Sequence, residues 1–531
     1  MRRRGFKLGT AALTAVLSAG MLLSGCGSNG NGNANDSGTN SAANADNAKA
    51  GNAAAANNAA GTSANEASKL EPYEITWYLP QSVFPDAKEV QDEMSKITKE
   101  KINATLNIQL VDWGTYDQKM QAIAASGEKA DLIFTSNWTN DYLQNVNKGA
   151  FLDVTDLLQQ HGPDILKQVP PAAWDAAKVK GKLYAIINTQ VLARTPGVLI
   201  NKSFLDKYGF KADQFKTLQD LTPFLEKVKQ GETDKFPFSL KGDTDVMGNF
   251  GSSLGIEYFS QKNPGVVHID DDSSKVVNLY ETPEFTGFLK LMHEWYEKGI
   301  IRKDASTLKD TNSDELAGKY VTSTFTVINP DTAANQAAKF GGGDAANVAA
   351  VEFSKPYMST GSIIATMTAI SRTSKDPARA MMFYNLLYSD PQLFNLMSFG
   401  IEGKHYTKVG DDLIKKVDNA GYWMDSGWEY GNMFNSYRTS ETQPKWYPAG
   451  PDKNAAAIPS KLLGFSFDPS NVKSELAQTA SVVDEFYAGL ITGIADPDAT
   501  LPKMNEKLKK AGLEKILAEM QSQIDAWKAT K

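Results

Sequence analysis

YEITWYLP (residues 73–80) opens the stretch that decides the fold, and DLIF (131–134) closes it. Between them, a stripe of apolar residues over 90–101 predicts a helix, and alternating apolar residues over 102–110 predict a half-buried strand. A second stripe over 116–124, followed by Gly127, predicts another helix, and the all-apolar DLIF predicts a strand covered on both faces. Strand, helix, strand, helix, strand is a βαβαβ unit, which predicts a parallel sheet and an α/β fold.

Polar and aromatic residues follow the first and third strands of this unit. The ligands of such sheets bind beyond the carboxyl ends of the strands. An aromatic ring beside amide and hydroxyl groups suits a sugar, because the C–H face of the sugar stacks while its hydroxyls form hydrogen bonds in the plane. We therefore expect a sugar to contact Trp77, Gln81, Ser136, Asn137 and Trp138, the alternative for both tryptophans being burial in the core.

The N-terminus carries the signals of export. A basic cluster at 2–7 precedes an apolar run at 8–23, as in a secretory signal peptide, and the general secretory route fits this pattern better than twin-arginine export. LSGC (23–26) resembles the bacterial lipobox, which implies a diacylglycerol on Cys26, the single cysteine of the chain. We expect a lipoprotein signal peptide over 1–25 and a protein anchored by lipid to the extracytoplasmic face of the cell membrane.

Residues 26–70 consist of the lipidated cysteine and a tract that is almost entirely Gly, Asn, Ala and Ser. Such a tract has too little apolar surface to offset the entropy of ordering, so a disordered tether is predicted. The later chain has no uninterrupted apolar run of membrane-spanning length.

Composition excludes several other classes of function. The net charge of −7 and the lack of a basic patch argue against a nucleic-acid partner. None of the four histidines has the spacing of a zinc site, and we expect no metal and no cofactor. Residues 270–281 match the ligand spacing of an EF-hand, but Lys275 stands where that loop needs glycine, so a hairpin with an acidic turn is predicted.

Four short runs follow one another along the chain: ADLIF (130–134), GAFLDV (149–154), GKLYAI (181–186) and VLINK (198–202). Their order and spacing resemble those of extracellular solute-binding proteins, the maltose-binding-protein-like family of ABC importers. The later runs TAIS (368–371) and DPARA (376–380) resemble the late strand and following helix of that family. GIEGKHY (400–406), GFSFD (464–468) and QIDAW (523–527) narrow the resemblance to the LipO-like lipoproteins, whose C-terminal extension has no assigned role.

The resemblance implies a two-lobe, type II periplasmic-binding-protein-like fold with a ligand cleft between the lobes. The first lobe would comprise 71–190 and 355–400, and the second lobe 191–354. The extension, 401–531, would pack across both lobes. It is expected to be helical, because 470–491 and 501–527 each carry an apolar stripe of helical period.

By position in that family, Asn188 in the hinge, Asp243, Asp245 and Asn329 are further expected ligand contacts. The two aspartates follow FPFSL (236–240), where a carboxylate can accept two sugar hydroxyls; a solvated turn is the alternative. The identity of the ligand is not carried over, because Thr135 stands where the maltose-binding pattern has an aromatic residue.

The late, glycine-rich segment 423–432 is dense in aromatic residues, which a core helix explains poorly. We expect Trp428 and Asn432 to reach the cleft. Glu402, in a polar turn, is expected there too, with helix capping as the alternative.

The predicted function is that of a monomeric receptor, not an enzyme. It would capture a carbohydrate, an oligosaccharide, by closure of the lobes and deliver it to a membrane permease with a cytoplasmic ATPase. An exported glycosidase with two carboxylates, and a binder of peptides or another solute on the same fold, are the alternatives.

Overall fold

The computed structural model describes residues 69–260 and 262–531. The predicted signal peptide (1–25), Cys26 and the tether up to residue 68 lie outside the described residues, and those expectations stay predictions. Within the described ranges, none of the helices has the length and apolar character needed to cross a membrane.

The first part of the chain forms the βαβαβ unit that the sequence predicts. Its elements are β1 (Tyr73–Pro80), α1 (Ala87–Ile102), β2 (Ala104–Val111), α2 (Tyr116–Ser126), β3 (Leu132–Thr135), α3 (Tyr142–Asn147), α4 (Thr155–His161), α5 (Pro163–Gln168), α6 (Pro171–Ala177) and β4 (Ile186–Ile187). Strand β1 pairs in parallel with β2 on one side and with β3 on the other. The three strands therefore end at the same edge of the sheet, at residues 80, 111 and 135.

The middle of the chain builds a second sheet. Its elements are β5 (Gly197–Asn201), α7 (Lys202–Tyr208), α8 (Thr222–Gly231), β6 (Phe236–Ser239), α9 (Val246–Phe250), β7 (Ile256–Tyr258), β8 (Gly265–His268), β9 (Val277–Asn278), α10 (Pro283–Glu297), α11 (Asn312–Leu316), β10 (Tyr320–Phe325), α12 (Thr332–Asn335), α13 (Ala337–Phe340) and β11 (Val348–Glu352). The strand order is β11-β5-β10-β6, and β10 runs parallel to β6, so both end at the same edge.

The chain then returns to the first sheet. Its elements are β12 (Tyr357–Met358), α14 (Thr360–Ile363), β13 (Met367–Ile370), α15 (Pro377–Ser389), α16 (Pro391–Phe399), β14 (Tyr406–Lys408), β15 (Ile414–Lys416), α17 (Trp446–Ala455) and β16 (Ile458–Pro459). Strand β13 joins the first sheet antiparallel to β3 and β4, completing the order β2-β1-β3-β13-β4. These are the two α/β halves expected of a two-lobe fold.

Three segments of chain cross side by side between the two sheets. The first, 188–196, and the second, 353–357, are joined by reciprocal backbone hydrogen bonds between Arg194 and Tyr357 (2.8 and 3.0 Å). The third runs through β16, which pairs in parallel with β12. The buried carboxylate of Glu257 ties the second and third together: it accepts hydrogen bonds from the Tyr357 hydroxyl (2.5 Å) and the Ser460 hydroxyl (2.6 Å).

The C-terminal helices are α18 (Lys473–Ile491), α19 (Pro497–Lys510) and α20 (Leu513–Lys528). Leu490 and Met504 are buried in the same apolar core as Trp295 of the second half. Tyr430, earlier in the extension, is buried in the core of the first sheet. The extension thus contacts both halves; the exact boundaries of the two lobes and the extension stay a proposal.

The segment 265–281 is a hairpin, as predicted, because β8 and β9 pair antiparallel. In its turn the Asp271 carboxylate accepts hydrogen bonds from the backbone N–H groups of Ser273 (2.9 Å) and Lys275 (3.1 Å). The described part of the chain contains no group of three or more metal-ligating side chains.

Candidate ligand-binding cleft

Three tryptophans from distant parts of the chain meet at the carboxyl edge of the first sheet. Trp113 follows β2, Trp138 follows β3, and Trp428 lies in a short turn of the C-terminal extension. The Trp113 ring stacks on Trp138, with centroids 5.6 Å apart, and on Trp428, with centroids 6.0 Å apart; Phe134 contacts all three edge-on. We call Trp113, Trp138 and Trp428 the tryptophan cluster.

Trp138 is held in place although it is 52% exposed. Its indole N–H donates to the Ala365 carbonyl (2.8 Å), and the neighbouring Asn137 amide donates to the Gly361 carbonyl (3.0 Å). Both bonds tie the loop after β3 to the segment before β13. An apolar ring face is therefore presented to solvent in a fixed orientation, which lowers the entropic cost of stacking a flat ligand against it.

The expectation that Ser136 contacts a ligand is wrong. Ser136 is fully buried, and its hydroxyl accepts hydrogen bonds from the backbone N–H groups of Trp138 (3.1 Å) and Thr139 (2.8 Å). It shapes the loop that carries Trp138 and does not face the solvent.

Trp77 is also a core residue, so its predicted ligand contact is wrong. It is fully buried, and its ring makes edge contacts with Phe383, Tyr384 and Tyr430 at centroid distances of 5.6, 5.8 and 6.1 Å. The physical reason is that helix α15 and the C-terminal extension cover the face of β1 on which Trp77 lies.

Asn188 and Asn432 are buried and serve the crossing region, which corrects two further expectations. The Asn188 amide donates to the Glu429 carbonyl (2.5 Å), and its oxygen accepts from the Tyr384 hydroxyl (2.5 Å). The Asn432 oxygen accepts from the Phe434 backbone N–H (3.0 Å). Both side chains therefore form their hydrogen bonds with other groups of the protein.

Gln81 lies beside the tryptophan cluster. It follows β1 and donates to the Ser426 hydroxyl (2.9 Å) and to the Glu429 carboxylate (3.3 Å), both in the segment that carries Trp428. Burial raises the pKa of Glu429 well above its ordinary value, and its second carboxylate oxygen makes no hydrogen bond within the described chain. Gln81 and Glu429 thus link the ends of the first sheet to the C-terminal segment.

Asp243 and Asp245 line a cavity of about 520 Å³ at the carboxyl edge of the second sheet. Asp243 is exposed and forms an ion pair with Lys241. Asp245 accepts hydrogen bonds from the Gly248 backbone N–H (2.9 Å) and the Tyr258 hydroxyl (2.9 Å). Asn249 lines the same cavity. The cavity offers carboxylate, amide and hydroxyl groups, a set suited to hydroxyl-rich ligands.

A small chamber of about 80 Å³ lies between the second half and the C-terminal extension. Asp331 lies directly before α12 of the second half, and Asp425 and Trp428 belong to the extension beside the first sheet; all three line the chamber. A neighbouring chamber of about 680 Å³ also includes Asp425, together with Trp423 and Lys416. Trp428 of the tryptophan cluster therefore borders a space walled by the second half and the C-terminal extension.

Asp331 and Asp425 have perturbed acidities. Burial raises the pKa of Asp331 to about 6. Burial, and then repulsion from Asp331, raise the pKa of Asp425 to about 7. A nearby negative charge raises the pKa of a carboxyl group in this way because two negative charges removed from water repel each other.

Glu402 and Asn329, two further expected ligand contacts, have different surroundings. Glu402 is exposed, pairs with Lys408 (3.3 Å) and lines none of the three chambers, so its place in the cleft stays a prediction without support from their lining. Asn329 lies two residues before Asp331, and its side-chain oxygen is buried without a hydrogen bond in the described chain. A polar atom in that state is a candidate for a ligand or water contact.

Trp113, Asp331 and Asp425 were not expected from the sequence. Trp113 has a recognisable signal, since it follows β2 as Trp138 follows β3, and strand ends are where the ligands of such sheets bind. The two aspartates lie 94 positions apart in the sequence, and only tertiary packing brings them together.

Known proteins resemble this chain in sequence and in fold. Residues 93–400 match the family described as bacterial extracellular solute-binding protein, and residues 461–529 match a domain of unknown function (DUF3502). A carbohydrate ABC transporter substrate-binding protein of Streptococcus pneumoniae serotype 4 is 32% identical over 441 residues, covering 82% of this chain and 87% of that protein. Lipoprotein LipO of Bacillus subtilis is 24% identical, covering 43% of this chain and 44% of LipO.

A solved structure agrees in fold. The N-glycan transport solute binding protein NgtS of Streptococcus pneumoniae is 29% identical, with a TM-score of 0.77 over 87% of this chain and 100% of that one. Its complex with Man5GlcNAc aligns with a TM-score of 0.68 over 87% of this chain and 99% of that one. The two-lobe fold and the resemblance drawn from the sequence are both confirmed, and the chain belongs to the bacterial extracellular solute-binding protein family.

Proposed function

We propose that this protein is the receptor of an ABC importer and that it captures an oligosaccharide in the cleft beside the tryptophan cluster. The observation that carries the proposal is the cluster itself: three indole rings, one of them half exposed, at the edge of a sheet where ligands of this fold bind. The relatives named for carbohydrate and N-glycan transport support it.

In this proposal the sugar is bound from both sides. A ring of the oligosaccharide stacks on Trp138, whose orientation the Ala365 carbonyl fixes. The hydroxyls of the sugar then donate to carboxylates and amides across the space, including Asp243 and Asp245 of the second half. Because the stacking face and the acceptors belong to different halves, a ligand that contacts both stabilises the closed state over the open one.

The residues proposed to contact ligand follow the strands of the two sheets or line a chamber. From the first half and the extension they are Gln81, Asn137, Trp138 and Trp428, to which we add Trp113. From the second half they are Asp243, Asp245 and Asn329.

The lipid anchor is part of the same proposal. Attachment through Cys26 and the tether would keep the receptor on the extracytoplasmic face of the cell membrane, near a permease that is driven by a cytoplasmic ATPase. Tethering raises the effective concentration of the receptor at its partner. Mass spectrometry of the membrane fraction tests it: a diacylglyceryl Cys26 at the mature N-terminus supports the anchor, and an unmodified or cytosolic chain contradicts it.

The receptor proposal excludes turnover, whereas a glycosidase would use two carboxylates such as Asp331 and Asp425. A panel of immobilised oligosaccharides and peptides identifies the ligand class, and chromatography of each bound sample shows whether the sugar is intact. Binding of an intact oligosaccharide supports the receptor. Cleaved products would replace it by the glycosidase, and binding of peptides alone would overturn the carbohydrate assignment.

A further inference from the structure

The walls of the cleft are biased towards negative charge. Among the described residues, the three chambers are lined by two basic side chains, Lys241 and Lys416. Their acidic side chains are six: Asp243, Asp245, Glu315, Asp331, Asp344 and Asp425. No arginine lines any of these three chambers.

Both lysines lie beside protein groups that attract their positive charge. The Lys241 ammonium forms an ion pair with Asp243. The Lys416 ammonium lies 5.3 Å from the centre of the Trp423 ring and is near enough to Asp425 to lower the pKa of that carboxyl. Proteins bind carboxylate groups mainly through arginine, which forms paired hydrogen bonds with both oxygens, or through an unpaired lysine. The described walls of the three chambers offer no arginine, and Lys416, which forms no ion pair, lies over the Trp423 ring and beside Asp425.

The smallest of the three chambers shows the excess of acidic side chains most clearly. Asp331 and Asp425 line it together with Trp428, and no lysine or arginine is among its lining residues. One Asp331 oxygen accepts a hydrogen bond from the Asn335 amide (2.8 Å), and Asp425 remains close enough to Asp331 for the two charges to repel. Hydroxyl groups can donate to such a pair, whereas a third carboxylate can only add to the repulsion.

We propose that the cleft selects an uncharged oligosaccharide and rejects one built from uronic acids, and that Asp331 and Asp425 set this preference. The inference rests on the proposed function, because it concerns the ligand of the same cleft. Each hydroxyl of a neutral sugar forms a charge-assisted hydrogen bond with a carboxylate. A uronic acid carries a carboxylate in place of one hydroxymethyl group, so the same pose juxtaposes like charges.

Titration calorimetry of the full folded chain at pH 8 tests the inference directly. The uncharged probes are Man5GlcNAc, maltotetraose and cellotetraose, and the anionic probe of the same length is tetragalacturonate. We expect the tightest uncharged probe to bind at least about 100-fold more tightly than tetragalacturonate. Tetragalacturonate binding within about tenfold of that probe, or more tightly, overturns the inference but leaves the carbohydrate receptor standing. Failure of every sugar overturns the proposed function, and the inference with it.

The variants Asp331→Asn and Asp425→Asn test the assigned residues. Each removes a charge but keeps the shape of the side chain, and Asn tolerates the left-handed backbone of position 425 (φ 45°). We expect the affinity for tetragalacturonate, relative to the best uncharged probe, to rise about tenfold or more in each. Asp213→Asn, on an exposed turn remote from the three chambers, is the matched control and should leave the ratio unchanged. An unchanged ratio in both variants, with thermal stability at least equal to that of the wild type, refutes the role of the pair.

Discussion

Replacing Trp138 by alanine should weaken oligosaccharide binding by an amount that the structure allows us to estimate. Trp138 keeps 52% of its surface exposed, which leaves about 100 Å² of ring and stem for a sugar to cover. At about 25 cal/mol per Å², covering half to all of that surface contributes about 1.2–2.5 kcal/mol. The dissociation constant of Trp138→Ala should therefore rise about 10- to 70-fold.

Titration calorimetry with the best oligosaccharide measures this change. Trp138→Ala also loses one neutral hydrogen bond and one ring stack, so we expect the free energy of unfolding to fall by about 1–2.5 kcal/mol, which leaves the chain folded at 25 °C. Trp527→Ala is the matched control, because Trp527 packs edge-on against Phe465 (5.9 Å) in the C-terminal region and should not alter affinity. A change of less than about twofold in Trp138→Ala would refute stacking on this ring.

Three further predictions concern the cleft and the crossing segments. Trp113→Ala removes the ring that stacks on both other tryptophans, and calorimetry should show affinity about 5- to 50-fold weaker; wild-type affinity would exclude a supporting role. Asp425→Asn should raise the melting temperature more at pH 8 than at pH 4, measured by calorimetric scans, and an equal effect at both values would contradict the raised pKa. Glu257→Ala leaves the hydroxyls of Tyr357 and Ser460 without their acceptor and should cost about 2–4 kcal/mol of unfolding free energy in urea titrations; a loss below about 0.5 kcal/mol would show that the crossing segments do not depend on it.

The sign of the Asp425 prediction follows from its raised pKa. The folded chain keeps the carboxyl protonated up to about pH 7, whereas an unfolded chain ionises it near its ordinary value of 3.8. Stability is therefore lost as the pH rises between these values, and the full penalty is present above about pH 7. Asparagine cannot ionise. The variant is therefore more stable than the wild type at pH 8, where Asp425 is ionised in the folded chain, and gains little at pH 4, where Asp425 is protonated.

The fold of the first half was predictable because its signals are local. The helix predicted over 90–101 extends over Ala87–Ile102, and the strand predicted over 102–110 extends over Ala104–Val111. Periodicity of apolar residues and a glycine at a helix end are read within a few positions of the chain. The second half and the return of β13 came from resemblance to a family, since no local pattern specifies which strands pair across more than two hundred residues.

The binding site was less predictable, and Trp77 shows why. Its strand pattern indicates that one face of β1 is covered, but only the packing of α15 and the extension shows that the ring is inside. Trp138 lies beyond the strand end, where the chain leaves the sheet, and it is exposed. Asp331 and Asp425 form a pair only because the extension folds back over both halves, which no spacing in the sequence reveals.

A crystal structure of the protein with its tightest oligosaccharide tests the central claim most directly. We expect an intact sugar with one ring stacked on Trp138 and with hydroxyls within hydrogen-bond distance of carboxylates that line the three chambers. A ligand bound away from the tryptophan cluster, or a sugar found cleaved, would contradict it.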